Sequence, residues 1–119
     1  MPNARMRRVN KAVREVVSAH IVEDLKDPRI KFVTVTGVET SADLRSARVF
    51  VSVLGDEAER DDAFVGLTSA SGFLQQRVGE QLRMKRTPTL TFVHDDSIDT
   101  GMRINELLSK VAPAEDEGA

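Results

Sequence analysis

The sequence predicts an α+β domain of order αββααβ: a three-stranded sheet with its helices on one face, and a short helix added near the carboxy terminus. Three observations carry this. The amino-terminal stretch is apolar every third or fourth residue. Two β-branched runs follow, separated by a short polar turn. A second helical stripe, interrupted near its middle, then leads through a basic run and a Thr-Pro break into one more short strand.

Residues 5–26 read as a long helix, because Met6, Val9, Val13, Val16, Val17, Ile21 and Leu25 step by three or four and leave Arg7, Lys11 and Arg14 toward the other side. Asp27-Pro28 closes it, since the residue before a proline avoids the helical region. Residues 32–40 alternate Val33 and Val35 with threonines, and Gly37 marks a bulge. After a turn at Ser41-Ala42-Asp43-Leu44, the residues Ala47, Val49, Val51 and Val53 alternate with Arg48, Phe50 and Ser52, which makes an antiparallel hairpin. Residues 55–60 read as an acidic loop, with Asp61 or Asp62 capping the next helix. That helix carries Ala63, Leu67 and Ala70 on one face, and Leu74, Val78 and Leu82 continue the stripe beyond Ser69-Ala70-Ser71-Gly72. A glycine inside a helix costs about 1 kcal/mol relative to alanine, and serines compete for backbone hydrogen bonds, so two helices are expected to meet here at a kink capped by Ser69 or Ser71. Leu90 to Val93 form the third strand, Asp95-Asp96-Ser97 a solvated loop, and Ile104, Leu107, Leu108 and Val111 the apolar face of the short terminal helix. Residues 1–112 are thus expected to form one domain, and residues 113–119 a short acidic disordered tail.

Bulk properties restrict the function classes. The chain has 119 residues and no cysteine, which allows a single core and excludes disulfides and thiolate metal sites. A basic, polar amino terminus does not read as a signal peptide, and no apolar run approaches the roughly 20 residues of a membrane span, so a cytoplasmic protein without membrane contact is expected. The net charge is −2, which argues against an RNA partner, but its distribution argues for one. Arg5, Arg7, Arg8, Lys11 and Arg14 occur with no acid among the first 14 residues, and Arg77, Arg83, Lys85 and Arg86 outnumber Glu80 between 73 and 88. The acids gather at Asp56, Glu57, Glu59, Asp61 and Asp62 and at Glu115-Asp116-Glu117.

A helix, a sharp junction, a second helix and a strand are also how KH-type RNA-binding domains are built, with the nucleic acid gripped at the junction. An exposed helix start there offers free N–H groups to a phosphate, and the small residues alternatively let another backbone approach. The two uses are compatible. Asp95 and Asp96 lack a third ligand at metal spacing, His20 and His94 lack a nucleophile partner, and no phosphate loop or zinc pattern occurs. No metal, cofactor or catalytic residue is therefore expected. Only Phe32 and Phe50 lie opposite the valine face, too few for a stacking platform, so backbone or shape recognition of RNA is expected.

Arg5-x-x-Arg8-Val9, Lys26-Asp27-Pro28-Arg29, Val38-Glu39 before Asp43-Leu44-x-x-Ala47-x-Val49, Ala70-Ser71-Gly72-Phe73, Pro88-x-Leu90-x-Phe92, and Asp95-x-Ser97 leading to Gly101-Met102-Arg103 occur in one order and spacing over residues 5–111. In this the chain resembles the ribosome-binding factor A family of bacterial small-subunit assembly factors. The resemblance implies a type-II KH-like fold in which an Ala-x-Gly kink replaces the Gly-x-x-Gly loop. It implies binding to free or immature 30S subunits, contacts with 16S rRNA near the neck, support for maturation of the 16S rRNA 5′ end, and a role in cold-shock adaptation. It also implies release with the help of ribosome-associated GTPases, and no catalysis. The family commonly carries an arginine shortly after the kink glycine, where this chain has Gln75.

The expected RNA contacts are Arg5, Arg8, Lys11 and Arg14 on the first helix, and Ser69, Ala70, Ser71 and Gly72 at the junction. Arg77, Arg83, Lys85 and Arg86 follow the junction, and Arg29, Lys31 and Arg45 stand at loop ends, all in a monomer. A protein-interaction module using the sheet face around Phe50 or the terminal helix is the alternative, and a hydrolase built on Asp95 and Asp96 a distant third.

Overall fold

The structure, a computed structural model, describes residues 4–97. The expected terminal helix, the acidic tail and the domain boundary at 112 lie outside the described residues.

The first helix, α1, spans Ala4–Glu23 and buries Val13, Val16, Val17 and Ile21, the stripe that its periodicity predicts. It ends short of residue 26, where the amides of Asp24 and Leu25 both donate to the His20 carbonyl. Asp27 does more than close this helix. Its carboxylate accepts the Arg29 amide and caps a single 3-10 turn, Pro28–Ile30, with proline at the first position. That turn drives Ile30 into the core.

Strands β1 (Val33–Thr40) and β2 (Ser46–Val53) pair antiparallel, and β2 pairs in parallel with β3 (Thr89–His94), giving the order β1-β2-β3. The register shifts between Val35 and Gly37, so Thr36 is the extra residue of the expected bulge. Ala47, Val49, Val51 and Val53 point inward from β2 and form one core with α1, the 3-10 turn, Leu90 and the second helix. Both helices therefore cover one face of the sheet, the α+β arrangement predicted.

The second helix departs from expectation twice. It is a single element, α2, running Glu57–Leu82. It starts earlier than Asp61 or Asp62 because Asp56 accepts the Glu59 amide at 2.8 Å while the Glu59 carboxylate accepts the Asp56 amide at 3.1 Å, a complete capping box. It also runs unbroken through 69–72. The Ser69 hydroxyl donates to the Val65 carbonyl and the Ser71 hydroxyl to the Thr68 carbonyl, so neither serine caps a new helix. Nothing stands within 4 Å of a Cβ added at Gly72, so no backbone approaches there. Burial of Ala63 and Leu67 before this stretch and of Leu74 and Val78 after it outweighs the roughly 1 kcal/mol that glycine costs.

The close approach lies at Gly79 instead. A Cβ there would sit 2.4 Å from the Thr87 hydroxyl oxygen, because the chain after α2 folds back across the last helical turn before entering β3.

Candidate nucleic-acid interface

Three segments distant in sequence meet beside the end of α2. Arg5 comes from the first turn of α1, Arg45 from the β1–β2 turn, and Arg83, Lys85 and Arg86 from the connection between α2 and β3. They line a groove of about 520 Å³ whose apolar part is Val9, Leu44, Leu82 and Met84.

Local chemistry explains the convergence. The Arg45 carbonyl accepts the Thr89 amide at 2.9 Å, which ties the hairpin turn to the start of β3. The turn is built by the Asp43 carboxylate, which accepts the Ser41 hydroxyl at 2.7 Å and the Arg45 amide at 3.0 Å. These bonds, the hydroxyl first, hold the Asp43 carboxyl below its usual range. Arg83 ends α2 in the left-handed region, φ 50° and ψ 44°, where its amide donates to the Gly79 carbonyl. Leu44 also has a positive φ, 61°. Among the described residues these are the two non-glycine positions with positive φ, and both line this groove. Left-handed backbone costs about 1–2 kcal/mol per ordinary residue, so the groove concentrates strain along with charge.

Asp43 is the one acid among the lining residues, and its Oδ2 is 3.9 Å from Arg45 Nε. Among the described residues no carboxylate lies within ion-pair distance of Arg5, Arg83, Lys85 or Arg86. Cations held this close repel one another unless an anion is present. The end of α2 lowers that cost somewhat, since its carbonyls carry partial negative charge.

The other expected contacts are distributed elsewhere. Lys11 and Arg14 join Arg7 along α1 and, with Asn10, face Gly37 and Val38 of β1 across a shallower groove of about 380 Å³. Arg7 was not among the expected contacts, although its spacing from Lys11 and Arg14 puts all three on one helical face. Asn10 secures this junction by accepting the Thr40 amide at 2.9 Å. Arg8 is exposed on α1 and lines neither groove.

Arg29 is held by Asp27 through Nε and Nη2, at 2.9 and 2.5 Å. This lowers the Asp27 carboxyl and raises the Arg29 guanidinium from their usual values. Lys31 lies over the Phe32 ring, 5.4 Å from its centroid. Both belong to the 3-10 turn and its exit, beside the acidic start of α2 rather than the basic groove. Arg77 stacks on Phe73 at 4.9 Å and pairs with Glu80 at 2.7 Å, which directs its charge along the helix. Ser69, Ala70, Ser71 and Gly72 lie inside α2, about 15–20 Å along the axis from Leu82, and present no helix start to a phosphate.

The sheet's outer face carries Phe50 under the Arg48 guanidinium, 5.6 Å from the ring centroid, while Arg48 also pairs with Glu39 at 2.5 Å. One covered ring does not make a stacking platform. Asp95 accepts the Ser97 hydroxyl and amide and the Thr36 hydroxyl, the last at 2.7 Å. These bonds keep its carboxyl below the usual range and fasten the end of β3 to the β1 bulge, a structural use of a residue read as a solvated loop. Gln75 accepts the Leu90 amide at 3.0 Å, so it joins α2 to β3. Among the described residues no cluster of His, Asp and Glu could hold a metal ion, and no helix is long and apolar enough to cross a membrane.

Comparison with known proteins adds a family to this geometry. The family model described as Ribosome-binding factor A matches residues 5–108. Ribosome-binding factor A of Halothermothrix orenii is 46% identical over 116 residues, covering 98% of this chain and 95% of the relative. The crystal structure of ribosome-binding factor A from Thermus thermophilus superposes with a TM-score of 0.67 at 25% identity, covering 75% of this chain and 94% of that one. A Thermus thermophilus ribosome binding factor A homology model, fitted into a cryo-EM map of a 30S complex, gives a TM-score of 0.62 at 26% identity, with 73% and 91% covered.

Proposed function

The chain belongs to the ribosome-binding factor A family, and from that premise we propose that it is a non-enzymatic assembly factor of the small ribosomal subunit that holds 16S rRNA through the groove at the end of α2. The observation that carries this reading is the convergence of Arg5, Arg45, Arg83, Lys85 and Arg86 on one groove with Asp43 as the one lining acid. Phosphate contacts by side chains of this kind set position and affinity, and they read the path of the backbone rather than the identity of bases. The groove of Arg7, Lys11 and Arg14 gives a second set of contacts along α1.

The Thermus thermophilus protein fitted into a 30S complex supports the small subunit as the target. By family resemblance the reading extends to immature subunits, to 16S rRNA 5′-end maturation and cold adaptation in the cytoplasm, and to release by ribosome-associated GTPases. The protein acts as a monomer. It uses neither metal nor cofactor, since neutralising phosphates requires none.

Sedimentation of the protein with immature and mature small subunits at two salt concentrations tests this. Binding should prefer immature subunits and weaken steeply with salt. Replacing Arg83, Lys85 and Arg86 together by glutamine should lower the slope of log K against log salt by about 2–3 units, since each lost phosphate contact removes about 0.7–0.9. A salt-insensitive complex, unchanged by these substitutions, would instead identify a protein-interaction module.

A further inference from the structure

Around the start of α2 the surface has the opposite character. Phe32 and Leu54 are 52% and 68% exposed, and they line a concavity of about 250 Å³ with Pro28. Leu54 donates its amide to the Phe32 carbonyl, so the two apolar side chains are fixed next to each other by backbone. Glu59 and Asp62 form part of the rim, and Asp56, Glu57 and Asp61 adjoin them in the first turns of the helix. Arg29, the cation of this concavity, is already held by Asp27.

We propose that this acid-rimmed apolar concavity docks a basic protein segment with an apolar anchor, of the kind ribosomal proteins present, while the groove at the other end of α2 holds rRNA. The argument is charge complementarity. A ribonucleoprotein surface offers a neighbour either phosphate or the basic polypeptide that neutralises it. Phosphate is repelled by five carboxylates clustered within seven residues, of which Arg60 is the sole interspersed cation. A basic segment is attracted by them. The exposed phenylalanine and leucine supply the apolar centre, and the acids the polar rim, that protein interfaces combine. Lys31 lies over the Phe32 ring, leaving it a poor platform for a base, and the residue is still half exposed. Docking the second end adds a protein anchor to the position that the phosphate contacts set.

The inference rests on the small-subunit reading above, and its test separates the two. Full-length wild-type protein, Leu54→Ser, and the Asp61→Lys, Asp62→Lys double variant are titrated against immature small subunits and against protein-free 16S rRNA. Thermal melting accompanies each variant. The charge variant alters only exposed side chains and keeps the question open should Leu54→Ser melt early. Both variants should lose about tenfold in affinity for subunits, as truncating an interface anchor does, and retain or gain affinity for the naked RNA. Variants that bind subunits as tightly as wild type would overturn this inference and leave the groove assignment standing. Folded variants that lose affinity for the naked RNA would overturn it too, placing RNA on this surface. Wild-type protein that binds neither particle would end both readings.

Discussion

Replacing Gly72 by alanine should stabilise the protein. Glycine inside a helix costs about 0.8–1.0 kcal/mol relative to alanine, and an added Cβ at Gly72 meets nothing within 4 Å. The whole propensity difference should therefore appear as stability, raising the melting temperature by about 4–6 °C for a domain of this size. Gly79→Ala carries the same helical gain but places its Cβ 2.4 Å from the Thr87 hydroxyl oxygen. Overpacking of this kind costs about 1–3 kcal/mol, and the stiff, β-branched threonine is a poor yielder, so the net effect should be a loss of up to about 2 kcal/mol. Thr87→Ala removes the offending oxygen and leaves its Cβ at 3.5 Å, an ordinary contact. The Gly79→Ala, Thr87→Ala pair should thus recover most of the loss, with a favourable coupling energy in a double-mutant cycle. Urea and thermal unfolding followed by circular dichroism read all four proteins. Subunit affinity should be unchanged by Gly72→Ala, which alters no charge and no groove residue. Destabilisation by Gly72→Ala, with Gly79→Ala neutral, would put the break in α2 where the serines and glycine suggest it and refute the continuous helix.

Two further outcomes follow from the hydrogen bonds and backbone described above. The Asp95 carboxyl is held below its ordinary value by Ser97 and Thr36, so it binds fewer protons folded than unfolded, and its stabilisation is present above the unfolded value near pH 4. In urea titrations the advantage of wild type over Asp95→Ala should be constant above about pH 5 and shrink as pH falls through the lowered folded value; a pH-independent gap would remove the carboxylate from this role. Arg83→Gly relieves the left-handed backbone at the end of α2 while deleting a groove cation, so stability should hold or rise by up to about 1 kcal/mol as subunit affinity falls. Loss of stability in that variant would show that the Arg83 side chain, rather than its backbone, is what the fold uses.

The parts of the fold that the sequence made legible are those where local pattern and burial agree. The valines of α1 and the alternation in β2 point to one answer at every level, and they are placed as predicted. The capping box was legible too, since Asp56 and Glu59 stand three apart, but the density of acids there reads as a loop. At 69–72 the local pattern and the structure part for another reason. Local cost there is real but small, and it is set against buried leucines and valines on both sides of it. Candidate cations divide the same way. Local pairing that withdraws Arg77 is visible as a spacing of three from Glu80, and that of Arg29 as a spacing of two from Asp27. The meeting of Arg5, Arg45 and Arg83 depends on how a hairpin turn and two helix ends are brought together. No spacing in the chain encodes it.

The proposed rRNA contact is compatible with a net negative charge because α2 separates the two signs of charge. Asp56 and Arg83 flank a helix of 26 residues, about 39 Å long, against a screening length near 8 Å at physiological salt. The acids at one end are therefore nearly invisible to a phosphate at the other. Each cluster also stands where the helix dipole favours it, carboxylates at the exposed amides and cations beyond the last carbonyls. The helix thus stabilises both clusters while keeping them apart, and this requires that it be unbroken. A bend at Gly72 would shorten the distance between the two clusters. The continuity of α2 and the polarity of the molecule are in that sense one property, and the alanine substitution at Gly72 tests the first on behalf of both.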